Sequence, residues 1–414
     1  MSLPSAHGRW ATIATLGSAQ TLAWGSSYYL PAILAVPMAR DLGVPTPLVF
    51  LAFSVALVIS AAVGPACGRA IDRHGGRPVL MLMSGVFALG LVALGLAQGP
   101  VSLFLAWALL GVAMGSGLYE AAFATLVRLY GHGARNAITG ITLIAGFAST
   151  VGWPLSTWMT LQFGWRGACF GWAALHLLVG LPLNLLLPKA GVAPAADGDA
   201  APTAATAAAA VAPLERPVLT AGLLAYVFAA TWFVSTAMAT HLPQLLQAAG
   251  ATLAVAVGAG ALVGPAQVAG RLLEFGLLRR MHALLSARLA ALAHPLGAAA
   301  LLLAGAPAAL PFALLHGAGN GIMTIAKGTL PLTLFGHQGY GARQGWISMP
   351  GRVAQSAAPF LFGLALQRWG AGALWLSGAL GLSAFVALWL LPRPRAAALQ
   401  EASLTYLASR SASE

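Results

Sequence analysis

The chain carries very little charge for its length. Only 7% of its 414 residues are charged, and acidic residues are the scarcer kind, with 9 Asp and Glu against 21 Lys and Arg. Hydrophobic residues make up 59% of the sequence, which is more than the core of a soluble domain requires. This balance excludes a soluble globular protein and predicts that most of the chain lies in a lipid bilayer.

Cysteine is nearly absent as well. The two cysteines, Cys67 and Cys169, fall at opposite ends of predicted membrane helices, so a disulfide between them is not expected. Because unpaired cysteine is most often a small buried hydrophobe, we expect both residues to serve in packing.

The sequence also lacks the motifs of soluble chemistry. It contains no recognisable Ser-His-Asp set, glycine-rich phosphate loop or basic and aromatic nucleic-acid motif. Its 9 histidines include no pair at i and i+3 or i+4, so no metal site is expected. We therefore predict a protein that is not an enzyme, uses no cofactor or metal and does not bind nucleic acid.

Twelve apolar runs, each about as long as a membrane-spanning helix needs to be, account for most of the chain. Glycine and proline recur inside them, which membrane helices tolerate. In chain order, and numbered here as spans 1 to 12, the runs are residues 11–35, 46–67, 79–97, 101–127, 137–161, 167–187, 218–246, 253–275, 284–304, 308–335, 345–366 and 374–391. We predict an all-α integral membrane protein with twelve transmembrane helices.

Basic residues lie mainly beside one set of the loops that join these spans. Lys and Arg beside short loops favour the cytoplasmic side, so both termini are predicted to be cytoplasmic. Topology and contact with anionic lipid then account for most of the net charge of +12. The Ala-, Gly- and Leu-rich composition suits a multi-pass protein of the cell inner (plasma) membrane. The basic residues predicted inside are Arg9, Arg69, Arg73, Arg77, Arg128, Arg135, Lys189, Arg216, Arg279, Arg280, Arg288, Arg343, Arg393, Arg395 and Arg410, and those predicted outside are Arg40, Arg166 and Arg368.

The second half of the sequence repeats elements of the first. Gly-Pro-Ala at residues 64–66 recurs at residues 264–266, and Pro154 has a counterpart 205 positions later at Pro359. Such self-similarity indicates a duplicated structural unit. We predict two pseudo-symmetric six-helix halves at residues 1–187 and 218–392, a cytoplasmic linker at residues 188–217 and a cytoplasmic tail at residues 393–414.

A ten-residue loop at residues 68–77 separates spans 2 and 3. Its spacing, Gly-x-x-x-Asp-Arg-x-Gly-x-Arg, resembles the loop signature of major facilitator superfamily carriers. The loop departs from that signature at Gly76, where the family usually has a second basic residue. The motif residues are Gly68, Asp72, Arg73, Gly75 and Arg77, and a degenerate copy in the second half carries Arg271 and Glu274.

The resemblance implies the fold of that superfamily and transport by alternating access between two halves. It further implies that Asp72 sits against the amino-terminal end of span 11 and holds the cytoplasmic gate closed, braced by Arg73 and Arg77. The alternative is that these charges only enforce topology. Arg271 and Glu274, one turn apart, are expected to pair locally.

Three charged side chains fall at predicted bilayer depth, where charge is costly and therefore suggests a function. They are Glu120 in span 4, Lys327 in span 10 and Arg352 in span 11. Two cations and one acid favour an anionic solute, because Arg352 can grip a carboxylate at two points and Lys327 adds a point charge. Glu120 is the candidate proton-coupling acid, and the alternative is a structural pair with Lys327. For Arg352 the alternative is contact with lipid or a carbonyl group.

Polar and aromatic side chains of spans 1, 4, 7 and 10 complete the predicted site, because these spans surround the cavity in the family. The predicted substrate-binding residues are Arg352, Lys327, Gln20, Trp24, Tyr28, Tyr119, Asn320 and Trp232. For the aromatic residues the alternative is packing or interfacial anchoring. His241 in span 7 is a second candidate for proton coupling, although a lone histidine is more often a structural hydrogen-bonding group.

These features predict a secondary active transporter that moves a small organic anion together with protons and works as a monomer. Span 4 lacks the arginine, and span 5 the glycine-proline arrangement, that drug-proton antiporters of the family commonly carry. An efflux pump for amphipathic or drug-like compounds is the first alternative, and a non-transporting sensor or scaffold on the same fold is the second.

Overall fold

The structure is a computed structural model that describes residues 6–130, 134–188, 216–276, 283–335 and 340–391. Within these ranges the chain is helical and contains no β-strand. Its α-helices are α1 Ala6–Ser26, α2 Pro31–Asp41, α3 Thr46–His74, α4 Gly76–Gly95, α5 Pro100–Gly117, α6 Tyr119–Tyr130, α7 Ala134–Ala145, α8 Ala148–Leu175, α9 Leu181–Leu185, α10 Pro217–Ala248, α11 Leu253–Ala261, α12 Val263–Gly276, α13 Ala283–Ala304, α14 Ala309–Phe335, α15 Tyr340–Trp369 and α16 Leu374–Leu390. Almost all of the predicted linker and the whole predicted tail lie outside the described residues.

Nine helical stretches of the described chain are long and apolar enough to cross a membrane. Two of them each contain two spans: Ala137–Leu185 turns at Gly164, which has a φ of 71°, and Trp346–Leu390 turns at the 3-10 segment Gly370–Ala373. Together with span 1, formed by α1 and α2, the stretches fit the predicted twelve spans. The architecture is therefore the predicted all-α membrane fold.

The helices of spans 1 and 4 are each interrupted by a short non-helical segment. Span 1 is interrupted at residues 27–30, between α1 and α2, and span 4 is interrupted at Leu118, whose backbone is extended. The Trp153 indole donates a hydrogen bond to the Tyr29 carbonyl oxygen at 3.1 Å. This contact satisfies one of the backbone groups at the break in span 1, as a membrane interior requires.

Close glycine contacts join span 4 to span 2 in the first half. A Cβ on Gly111 would lie 2.6 Å from the Ala56 carbonyl oxygen, and one on Gly115 would overlap the Ser60 carbonyl oxygen. Small residues four apart let two membrane helices approach until their backbones touch.

The second half repeats this arrangement between spans 8 and 10. A Cβ on Gly317 would lie 2.7 Å from the Val263 carbonyl oxygen, and one on Gly321 would overlap the Gln267 carbonyl oxygen. Gly317 and Gly321 each follow their counterparts, Gly111 and Gly115, by 206 positions. The sequence repeat therefore corresponds to a repeat in how the helices pack against each other.

The two halves meet along span 2 with span 11 and along span 5 with span 8. At the second of these contacts, Thr150 Oγ1 donates a hydrogen bond to the Ala261 carbonyl oxygen at 2.7 Å. A hydrophobic cluster continues across the interface, with Ala32 and Trp153 of the first half among residues such as Met238 of the second. Large apolar side chains such as Leu303, which is 89% exposed, cover the exterior, as a lipid-facing surface requires.

The signature loop is a tight turn between α3 and α4. Gly75 ends α3 with a φ of 87°, a left-handed conformation that favours glycine. A Cβ on Gly76 would collide with the Thr125 side chain of span 4. This packing leaves no room for the basic residue that the family signature carries there. The Asp72 side chain lies outside the described part of the structure, so the predicted gate contact remains a prediction.

Candidate functional site

A cavity of about 340 Å³ lies between the two halves. Both members of an ion pair line it, so we name it the ion-pair cavity. Its walls come from spans 1, 2, 4, 7 and 11. The lining residues are Trp24, Tyr28, Leu57, Ser60, Ala61, Met114, Leu118, Tyr119, Glu120, Phe123, Trp232, Arg352 and Gln355.

The ion pair joins span 4 of the first half to span 11 of the second. The Nη2 atom of Arg352 donates to the Oε1 atom of Glu120 at 2.6 Å. The side chains are about half exposed, 47% for Arg352 and 56% for Glu120. Because both side chains are exposed to the cavity, a solute in the cavity can contact them.

Local backbone structure places the Glu120 carboxylate. The break at Leu118 makes Tyr119 the first residue of α6, so Glu120 lies in the first turn of that helix, where the helix dipole favours a negative charge. The carboxylate also lies against Gly64 of span 2, where a Cβ would come within 3.1 Å of Oε2. A glycine at this position therefore leaves room for the acid.

The structure pairs Glu120 with Arg352, so the alternative prediction that Glu120 pairs with Lys327 is wrong. Lys327 is buried, and its Nζ atom lies 4.8 Å from the centroid of the Trp232 ring, within range of a cation–π interaction. Lys327 is therefore next to the cavity, behind one of its walls. Arg352 faces the cavity and not the lipid.

Aromatic rings form much of the remaining wall. The Trp24 ring is 4.9 Å from the Tyr28 ring and 4.9 Å from the Tyr119 ring, measured between centroids. Tyr119 stacks on Phe123 at 5.2 Å. Such rings offer a rigid apolar surface with polar edges.

Tyr28 connects the two halves at the break in span 1. Its hydroxyl group is 2.6 Å from Thr236 Oγ1 of span 7 and accepts a hydrogen bond from Gln355 Nε2 of span 11 at 3.2 Å. The side chain is 6% exposed. It therefore forms part of the floor that closes the ion-pair cavity.

The structure brings six of the predicted site residues to this cavity: Arg352, Glu120, Trp24, Tyr28, Tyr119 and Trp232. It places three others elsewhere. Gln20 is buried within the first half, where its Nε2 atom donates to the Gly117 carbonyl oxygen at 2.8 Å. Asn320 lines a separate small cavity beside Tyr28. His241 is fully buried, with its Nε2 atom 2.8 Å from the Pro359 carbonyl oxygen.

Arg271 does not pair with Glu274 in the described structure, contrary to expectation. Its Nη1 atom instead donates to the Thr142 carbonyl oxygen of span 5 at 2.7 Å. The guanidinium group thus joins the two halves. The degenerate copy of the motif contributes to the interface between spans 5 and 8.

Sequence reasoning missed several lining residues. Gln355 and Ser60 line the cavity, and Thr236 is the partner of the Tyr28 hydroxyl. Gln355 had a usable signal, because it is a polar residue three positions after Arg352 in an apolar span. Ser60 and Thr236 had none, since Ser and Thr are common in membrane helices. Among the described residues, no group of three or more His, Cys, Asp or Glu side chains could hold a metal ion.

Comparisons with known proteins agree with the fold. The chain is 32% identical over 155 residues to an uncharacterized 38 kDa protein in the 23S RNA operon of Thermoproteus tenax, and the match covers 37% of this chain and 40% of that protein. The chain thus spans less than half of that relative.

Solved structures of transporters share the architecture over nearly the whole chain. The nucleoside transporter NupG superposes with a TM-score of 0.72 at 12% identity, covering 93% of this chain and 100% of that one. The D-xylose-proton symporter gives 0.67 at 16% identity, covering 93% and 98%. A bacterial homologue of the human lysosomal transporter Spinster, solved in an inward-facing and occupied conformation, gives 0.64 at 16% identity, covering 98% of each chain.

A family model described as Major Facilitator Superfamily matches residues 16–299. This match spans more than half of the 414 residues and includes the signature loop and Glu120. The chain therefore belongs to the Major Facilitator Superfamily of membrane transporters.

Proposed function

We propose that the protein is a proton-coupled carrier of a small organic anion, which binds in the ion-pair cavity. The observation that carries this proposal is the contact between Arg352 and Glu120, at 2.6 Å inside a cavity between the two halves. We further propose that it works as a monomer in the cell inner membrane, with both termini in the cytoplasm.

Charge at the cavity supports an anionic solute. Arg352 places a guanidinium group at the cavity surface, where a solute can reach it. A cation set among apolar walls attracts solutes of the opposite charge. An organic anion is therefore the favoured class, and its apolar part packs against the aromatic wall.

Competition for one guanidinium group supports proton coupling. Glu120 and a solute carboxylate are both acceptors for Arg352, whose planar fork matches a carboxylate at two points. When Glu120 takes up a proton, it loses its charge and its hold on Arg352, which then becomes free for the solute. Proton binding and anion binding thus favour each other, and this coupling is reciprocal.

The position of the pair supports alternating access. Spans 4 and 11 belong to different halves, so the ion pair closes or opens together with the contact between them. A bound anion replaces Glu120 as the partner of Arg352. The loaded carrier can then change its conformation without leaving the arginine unpaired.

Efflux of an amphipathic compound is the second candidate. Five aromatic residues favour it, because they give the cavity a broad apolar surface: Trp24, Tyr28, Tyr119, Phe123 and Trp232. A planar amphipathic molecule would fit such a surface without a specific partner for its charge.

Thermal stabilisation of the purified protein by two panels of compounds tests the proposal. A ligand at one hundred times its Kd stabilises the folded state by about 2.7 kcal/mol. We expect small monocarboxylates and hydroxy acids to raise the melting temperature, and this shift to disappear in Arg352→Ala. Stabilisation by amphipathic drugs alone would favour efflux, and the absence of stabilisation by either panel would contradict both transport proposals.

A further inference from the structure

The structure contains a second and larger cavity at the other end of the bundle. The signature loop at residues 68–77 marks one end, and Asp41 with Arg166 marks the opposite end. The opposite-end cavity has a volume of about 650 Å³ and, like the ion-pair cavity, lies between the two halves. Its polar lining residues are Arg40, Thr46, Thr157, Thr160, Gln244, Gln247 and Gln367.

Arg40 gives this cavity its charge. The neighbouring acid, Asp41, is held by Arg166 at 2.9 Å and by the Trp165 indole at 3.1 Å. Arg40 is the one ionised side chain among the residues that line the cavity. Its exposed guanidinium group is therefore available to a carboxylate.

Two glutamines line the opposite-end cavity with their amide nitrogens close to backbone carbonyl groups. The Nε2 atom of Gln247 donates to the Pro243 carbonyl oxygen at 3.1 Å, and that of Gln244 lies 3.5 Å from the Ala32 carbonyl oxygen. The Gln244 side chain also contacts the His241 ring, so the Oε1 atom of Gln247 is the amide acceptor that we expect to serve a solute. Hydroxyl groups can donate to such an acceptor, whereas carboxylates cannot.

The two cavities are stacked along one path. Tyr28 lines the ion-pair cavity, and Ala32, four residues further along span 1 across its break at residues 27–30, lines the opposite-end cavity. Between them lie the Tyr28 hydroxyl network and the buried His241, whose ring packs 3.9 Å from that of Phe50. These side chains form a layer that separates the two cavities.

We propose that the opposite-end cavity is a second solute site, selective for hydroxylated organic anions. Arg40 holds the carboxylate, and Gln247 accepts a hydrogen bond from a hydroxyl group. This proposal rests on the proposed function, because a solute that leaves this site is expected to move past Tyr28 into the ion-pair cavity. It narrows the substrate class from organic anions to hydroxy acids.

Calorimetric titration of the full-length protein with glycerate and propionate tests this site. Both acids have three carbons and one carboxylate, but only glycerate has hydroxyl groups. The Arg352→Ala variant isolates the second site, because it removes the cation of the first. We expect this variant to keep binding glycerate, about tenfold more tightly than propionate, and expect Arg352→Ala combined with Arg40→Gln to lose at least tenfold in glycerate affinity.

Arg368→Gln in the same Arg352→Ala background is the matched control. Arg368 is also an exposed arginine at the opposite end of the bundle, but it does not line the cavity, so glycerate affinity should not change. Equal losses with Arg40→Gln and Arg368→Gln would reduce the effect to general surface charge and overturn the proposal. Equal affinity for both acids, or no glycerate binding once Arg352 is removed, would also overturn it.

Titration of the wild type separates this proposal from the proposed function, because two glycerate sites are expected there and one of them should be lost in Arg352→Ala. A single wild-type site that depends on Arg40 and is unchanged by Arg352→Ala would retain this site and contradict the proposed function.

Discussion

Replacing Arg352 with alanine should reduce organic-anion uptake by proteoliposomes at least 100-fold while leaving the protein folded. The substitution removes the guanidinium group that contacts Glu120 at 2.6 Å and that we expect to hold the solute carboxylate. A loss of 100-fold corresponds to about 2.7 kcal/mol, within the range of a charge-assisted hydrogen-bonded contact. Initial uptake rates of an acid that stabilises the wild type, measured with matched amounts of protein, give the result.

Two further variants make this experiment specific. Arg352→Lys keeps the charge but loses the planar fork, so an intermediate loss of roughly tenfold is expected. Arg368→Ala removes an exposed arginine from the last turn of the same helix and should transport like the wild type. Lys327→Ala should also lower anion flux, since it removes the second cation near the cavity. Unchanged flux in Arg352→Ala would rule out the ion-pair cavity as the anion site.

Replacing Gly115 or Gly321 with valine should prevent the protein from folding stably. At both positions a Cβ would overlap a backbone carbonyl oxygen of the neighbouring span, Ser60 for Gly115 and Gln267 for Gly321. Backbone cannot move aside as a side chain can, so the two spans must separate. Overpacking of this kind typically costs about 1–3 kcal/mol and sometimes more. The melting temperature and the monodisperse fraction after size-exclusion chromatography in detergent measure the effect.

Glycines in open surroundings provide the controls. A Cβ on Gly85 in span 3 or on Gly222 in span 7 would have no atom within 4 Å apart from its chain neighbours and the backbone of its own helix. Valine at either position should leave the melting temperature within a few degrees of the wild type. If Gly115→Val were as stable as Gly85→Val, spans 2 and 4 would not be in backbone contact.

Most of the fold could be predicted from the sequence, because the bilayer imposes simple requirements on it. Apolar runs of about 20 residues must be helices, and the observed helices fit the twelve predicted runs. The internal repeat could also be predicted. The same glycine spacing recurs 206 positions later because the same packing recurs.

The breaks inside spans could not be predicted from composition. Leu118 and residues 27–30 lie within predicted spans, with Pro31 directly after the first break and Gly117 directly before the second. Membrane helices tolerate proline and glycine without breaking, so these residues alone do not fix an interruption. Backbone groups at the breaks are satisfied by distant side chains, such as the Trp153 indole at Tyr29. Breaks of this kind depend on tertiary contacts, which a hydrophobic pattern does not contain.

The charged residues of the site could be predicted, but not their pairing. Alignment of the two halves makes Lys327 the counterpart of Glu120, and this correspondence suggested that they pair. Span 11 packs against span 2, which in turn packs against span 4. Arg352 of span 11 therefore lies close enough to contact Glu120 of span 4. Internal symmetry identifies equivalent positions, whereas contact depends on which spans are neighbours.

In the proposed mechanism, protonation of Glu120 couples proton movement to anion transport. Glu120→Gln retains the size and hydrogen-bonding capacity of the protonated acid but cannot lose a proton. Arg352 in this variant should remain free for the solute, so exchange of labelled for unlabelled anion should continue. An imposed pH gradient, however, should no longer drive net accumulation.

The most direct test is accumulation of a stabilising organic acid in Glu120→Gln proteoliposomes under an inward proton gradient. Exchange of the same acid without a gradient is measured in parallel to establish that the variant is active. Exchange close to the wild-type rate and no uphill accumulation are expected if Glu120 is the coupling acid. Uphill accumulation at the wild-type level in Glu120→Gln would contradict this role.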